Sequence, residues 1–177
     1  MDRHDDLPEA LAEQPIRYID RTRRWYQLLG YQPYRWPQYD EVAFTELTKP
    51  LAASKVALIT TAAPFQPGAG DQGPGAAYNG AAKFFEVYAQ SCDEPADVRI
   101  SHIGYDRAHT TAADPGTWFP LRRLQEAARA GRIGGVTARF YGAPTVRRQR
   151  TTTEEHAPQL AAMLQADGAD VALLVPV

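Results

Sequence analysis

Lys55-Val56-Ala57-Leu58-Ile59-Thr60, KVALIT, is the stretch whose reading decides the fold. Its apolar residues run on without alternation, as in a strand buried on both faces of a parallel sheet. A second run of this kind, VALLV, spans Val171–Val175. Between them, three more segments read as strands: Phe84–Gln90, Val98–Ile100 and Gly135–Tyr141. Two segments carry helical spacing. Pro120–Ala130 sets Leu121, Leu124, Ala127 and Ala128 on one stripe, with Gly131 in place to cap it. Thr153–Ala166 follows, with Thr151 to Thr153 as N-cap, Glu154 and Glu155 in the first turn where the helix dipole favours acids, and Gly168 to end it. Strands alternating with helices predict an α/β fold. The expected form is a three-layer sandwich around a mostly parallel sheet, Rossmann-like or flavodoxin-like, holding residues 55–60, 98–100, 135–141 and 171–175.

Outward from KVALIT, Ala62–Gly80 is rich in glycine and proline and reads as a long flexible loop. It has neither a G-K-[ST] nor a G-x-G-x-x-G spacing, so it does not read as a phosphate cradle. Toward the N-terminus, Leu7–Glu13 and Ile16–Leu29 carry helical patterns, and Gly30 stops the second. Tyr31, Tyr34, Trp36 and Tyr39 then stand among prolines, an aromatic segment that packs either on the chain's own core or on a second subunit. The expected division is an N-terminal helical and aromatic extension, residues 1–50, and an α/β domain, residues 51–177.

Composition narrows the function. Apolar residues make up 44% of the 177 and charged residues 23%, which fits a globular rather than a disordered chain. The net charge of -2 leaves no basic footprint for nucleic acid. The short basic runs Arg21-Thr22-Arg23-Arg24 and Arg147-Arg148-Gln149-Arg150 read as solvated faces. No stretch reaches the length of a membrane span, and the charged start MDRHDDLPEALAEQ lacks a leader's apolar segment. The single cysteine, Cys92, rules out an internal disulfide and any cysteine-based zinc motif and fits a reducing compartment. A cytoplasmic chain is expected.

The reactive side chains concentrate in Asp97–Leu124, where the Val98–Ile100 strand gives way to a polar loop. His102 is placed to act as a general acid/base, Asp106 to orient its imidazole, and Tyr105 to donate a hydrogen bond. The alternative is a histidine that pins the loop. Ligands of open α/β sheets bind beyond the carboxyl ends of strands, so Thr60, Thr61, Ser101, His102, Tyr105 and Asp106 are expected to share one crevice there, fit for a small polar or carboxylate-bearing molecule. Arg99 and Arg107 flank it. His102, Asp106 and His109 match no zinc spacing, so neither a metal nor a cofactor is expected. His4 and His156 read as surface residues.

Four segments together carry a likeness. ALITTA at Ala57–Ala62, RISHIGYD at Arg99–Asp106, FPLRRLQEAARAGRIGGV at Phe119–Val136 and LQADGADVALLVP at Leu164–Pro176 occur in the order and spacing of one family. Over roughly residues 40–177 the chain resembles the selenoprotein B family of glycine, sarcosine and betaine reductases and the related D-proline reductase subunit. The resemblance implies a dithiol-dependent reductive cleavage, in which a selenocysteine or cysteine attacks the substrate and a partner thiol resolves the intermediate. It also implies a reactive Cys or selenocysteine just after the strand matching Val171–Pro176, and none stands before Val177, so the α/β domain reads as truncated relative to the family. Cys92 lies in the acidic context SCDEPAD, which should raise a thiol pKa rather than lower it, and one thiol cannot close a disulfide. The expectation is therefore a reductase-type subunit for small amino-acid-like substrates, inactive alone, whose partner is a second copy or a partner reductase subunit. The alternatives are a non-redox module that binds small carboxylates, or an acid/base α/β enzyme such as a racemase or lyase.

Overall fold

The computed structural model describes residues 17–33, 36–102, 105, 111–146 and 148–177. The expected Leu7–Glu13 helix, Tyr34, Asp106, Arg107 and His109 lie outside the described residues. The chain divides into two compact units, Met1–Thr45 and Glu46–Val177.

In the first unit, α1 (Tyr18–Leu28) places Asp20 in its first turn, where it pairs with Arg17 at 3.0 Å and Arg23 at 3.4 Å. Gly30, with φ +75°, lets the amides of Gly30 and Tyr31 turn back to the carbonyls of Gln27 and Tyr26, the closure the glycine predicts. Beyond it, Tyr39, Val42 and Phe44 are exposed.

Among its described residues the second unit has the strands β1 (Lys55–Thr60), β2 (Ala63–Pro64), β3 (Tyr88–Ser91), β4 (Val98–Arg99), β5 (Gly135–Val136), β6 (Arg139–Gly142) and β7 (Val171–Val175). Its helices are α2 (Leu121–Arg129), α3 (Gln149–Thr151) and α4 (Ala157–Ala166), the last two joined by a π-helical turn at Thr152–His156.

KVALIT is the centre of the sheet. β7 pairs with β1 in parallel from Val56↔Val171 to Thr60↔Val175. β5 and β6 pair in parallel along its other edge, and β3 closes that side antiparallel to β6. Alternation about β1 then sorts the core. Leu58 faces Phe140, Phe119, Trp118 and Leu121 on the side covered by α2. Ala57 and Ile59 face Tyr141 and Leu160 on the side covered by α4. Helix, sheet and helix make the expected three layers, with a mostly parallel sheet.

Four expectations need correction. Val98–Ile100 is not a strand of the main sheet: β4 pairs antiparallel with β2, Ala63↔Arg99 and Pro64↔Val98, in a separate two-stranded ribbon. The chain turns out of β1 within two residues, so β2 rather than β1 is the partner that β4 meets. Gly135–Tyr141 is two strands: between Val56↔Val136 and Ile59↔Tyr141 the register with β1 shifts by two, a bulge held by Thr137, whose buried hydroxyl donates to the Arg139 carbonyl at 2.7 Å. Thr151–Thr153 does not cap a helix, because helical backbone already starts at Gln149, and Thr153 Oγ1 donates back to the Gln149 carbonyl at 3.0 Å. Pro120 precedes α2 rather than occupying its first turn.

The glycine-rich loop after β2 is braced by two amide side chains. Gln72 accepts from the Gln66 N–H at 2.9 Å and donates to the Gln66 carbonyl at 2.8 Å. Asn79 donates to the Ala69 carbonyl at 2.5 Å and accepts from the Ala81 N–H at 3.0 Å. Such side-chain closure makes an ordered Ω-type loop out of a composition that reads as flexible.

Candidate functional site

Thr60 and Thr61 stand at the carboxyl end of β1. Thr60 is fully buried, and its hydroxyl accepts from the Ala62 N–H at 3.1 Å, so Thr60 turns the chain out of the sheet. Thr61 is half-buried and looks toward the end of β7: its N–H donates to the Val175 carbonyl at 3.3 Å, and its Oγ1 accepts from the Val177 N–H at 2.7 Å. The residues after β7 are thus fastened to the tip of β1.

The β2–β4 ribbon brings the second set of residues. Its pairs are Ala63↔Arg99 and Pro64↔Val98, and Ser101 follows two residues after Arg99. Ser101 is buried and His102 half-buried next to it. Asp106, expected to orient His102, lies outside the described residues.

Tyr105 is drawn to a different place. It lines a cavity of about 240 Å³, together with the Gln72–Ala76 stretch of the braced loop, Val98, Arg99 and Trp118. Thr60, Thr61, Ser101 and His102 do not line it. Arg99, read as a flanking charge, is tied down: its Nε donates to Asp97 at 2.5 Å, its Nη1 donates to the Gln72 carbonyl at 3.3 Å, and its guanidinium sits 5.1 Å from the Phe65 ring centre. The hydrogen bond to Asp97 holds the Arg99 pKa above its ordinary value.

Cys92 is buried, and burial, reinforced by Asp93 and Asp167, pushes its thiol up to about 11. That opposes thiolate formation, as the acidic sequence context suggests. Among the described residues no group of three or more His, Cys, Asp or Glu is placed to hold a metal ion.

A model of the glycine/sarcosine/betaine reductase selenoprotein B family matches residues 31–176, most of the chain. The chain belongs to that family. No curated protein and no solved structure matches it. As a selenoprotein B family member it fastens the residues at the end of β7 to Thr61. Among the described residues no helix is long and apolar enough to cross a membrane.

Sequence reasoning missed the cavity because its walls carry no motif. Gln72 and Trp118 look like loop and core residues. Ala112, buried at its edge with φ +56°, has no sequence signature of a left-handed backbone.

Proposed function

We propose that the chain is a reductase-type, dithiol-dependent selenoprotein B subunit acting on small amino-acid-like substrates, and that the redox thiols are supplied by another chain. The observation that carries this reading is the family match over residues 31–176. Three residues at the strand ends would form the substrate crevice. Thr61 orients the chain after β7, Ser101 offers a hydroxyl, and His102, assisted by Asp106, holds or moves a proton on the leaving group. A partner dithiol supplies two electrons and two protons and ends as a disulfide, while the substrate bond is cleaved. Cys92 takes no part, since it is buried and its thiol stays protonated near neutral pH.

That same observation on Cys92 favours a second reading, a non-redox module that binds small carboxylates in this crevice. Two measurements separate the readings. The isolated chain with dithiothreitol should release no amine from glycine or betaine and should not open the proline ring, whereas addition of a thiol-bearing partner subunit should give turnover that falls in His102→Ala. Carboxylate binding without turnover in any mixture selects the module. Turnover by the isolated chain that disappears in Cys92→Ser overturns both.

A further inference from the structure

β7 is an open edge of the main sheet. Among the described residues it pairs with β1 alone, in a register that runs unbroken from Val171 to Val175. β1 is buried from Val56 to Thr60, whereas in β7 Leu173 is 39% and Leu174 59% exposed, and Ala172 is exposed as well. The two leucines lie on opposite faces. Leu173 is level with Leu58 on the α2 side, and Leu174 is level with Ile59 on the α4 side. One strand thus leaves large apolar side chains uncovered on both faces.

Its backbone is open in a definite pattern. The Thr61 N–H reaches the Val175 carbonyl, so Val171, Leu173 and Val175 turn their backbone groups toward β1. Alternation then turns the N–H and C=O groups of Ala172 and Leu174 outward. Such an edge attracts another strand, and proteins usually blunt it with a lysine, a proline or a bulge. Val171–Val175 has none of the three.

The strand itself names its occupant. Turned end to end about Leu173, VALLV sets Ala172 against a second copy's Leu174 and Val171 against its Val175, so the most exposed large side chain meets a small one. In this register Ala172 and the second copy's Leu174 form hydrogen-bonded pairs through the groups that already point outward, and Leu173 falls on the two-fold axis in a non-hydrogen-bonded position. A two-fold contact also brings like charges together, so it requires an edge without charge. Asp170, which precedes the strand, is engaged by Lys49 at 2.8 Å and by the Lys55 N–H at 2.7 Å. From Val171 to Val177 there is no charged or polar side chain by which a partner of different chemistry could select this edge. We infer that β7 is a homodimer seam, at which two copies of this chain join antiparallel through Ala172 and Leu174 into one continuous sheet. The seam uses none of the proposed catalytic residues and is independent of the reductase reading.

Sedimentation velocity and cysteine cross-linking of the full chain test this. The parent should sediment as a dimer at micromolar concentration. Leu173→Lys, which sets two cations together at the axis, should sediment as a monomer that keeps the parent's far-UV circular dichroism. In a Cys92→Ser background, Leu173→Cys should give a disulfide-linked dimer on mild oxidation, because Cα atoms across a non-hydrogen-bonded antiparallel pair lie about 4.5 Å apart, within reach of a disulfide. Phe85→Cys, exposed just before β3 on the other side of the sheet, should not. A monomeric parent, a dimer that Leu173→Lys leaves intact, or cross-linking no stronger at Leu173→Cys than at Phe85→Cys would overturn the inference. If Leu173→Lys does not fold, the cross-link decides alone: linkage confined to Leu173→Cys upholds the seam and its absence overturns it. A monomer whose Ala172 and Leu174 amides resist hydrogen exchange would assign the edge to the chain's own residues, which overturns it too.

Discussion

The backbone N–H of Val177 donates to Thr61 Oγ1 at 2.7 Å, and the Thr61 hydroxyl lies 3.4 Å from the Val177 carbonyl, so one side chain holds both polar groups of a residue 116 positions later. Thr61→Val keeps the shape and removes the acceptor. It should cost about 1 kcal/mol, and amide exchange at Val177 should speed up more than exchange in β1. Thr61→Ser should stay close to the parent. Equal protection of Val177 in Thr61→Val would show that the clasp carries no weight.

Gly142 cannot bear a side chain. A Cβ there would lie 1.8 Å from the Tyr88 ring, which is held in place by its own hydroxyl donating to the Ala62 carbonyl at 2.6 Å. Gly142→Ala should destabilise by about 3 kcal/mol or more, at or beyond the usual range for overpacking. Denaturant melts of Gly142→Ala and of the double variant with Tyr88→Ala measure it. The second substitution should recover part of the loss, and additive losses would contradict the close approach.

Asp167 gathers Arg139, through Nε at 2.9 Å and Nη2 at 3.0 Å, and the Tyr141 hydroxyl. Those hydrogen bonds, Arg139 first, hold its carboxyl below the ordinary 3.8. A depressed folded pKa contributes stability above the unfolded value and loses it as pH falls through the folded one. The urea midpoint of Asp167→Asn should therefore lie below the parent's near neutral pH, and the gap should narrow as the pH drops below 3.8. A gap that stays constant down to that range would remove the charge from the account.

Cys92, with its thiol near 11, should resist alkylation in the native state. At mildly alkaline pH its thiolate fraction is on the order of 100-fold below that of a free cysteine, and burial slows it further. Iodoacetamide labelling with and without denaturant checks this. Rapid native labelling would mean that Cys92 is exposed and activated.

The α/β class was legible in the sequence because it rests on local pattern. KVALIT and VALLV are strands whatever surrounds them, α2 is read from its leucine stripe, and Gly30, Gly131 and Gly168 all take positive φ at helix ends. Membership of the selenoprotein B family was legible too, since ordered short motifs survive without any knowledge of pairing. Thr61, Ser101 and His102 stand out in the sequence by type, as polar side chains after strands, and are the residues proposed above for the substrate crevice.

Pairing was not legible. Val98 and Arg99 have the composition of a sheet strand, but a strand's partner is set by which backbone edge the chain reaches, and the turn after Thr60 puts β2 in their way. The bulge at Thr137 has no cue in GVTARFY, because it arises from fitting two short strands against one edge of β1. VALLV and KVALIT look alike, yet Leu58 is fully buried and Leu174 is 59% exposed, since burial depends on neighbours on both sides and β7 has one among the described residues. The sequence by itself determined the elements, their order and the kinship of the chain. Only the tertiary structure decided which elements pair, that Thr61 grips Val177, and that Val98, Ala112 and Trp118 line one cavity, because each of these depends on contacts between residues far apart in sequence.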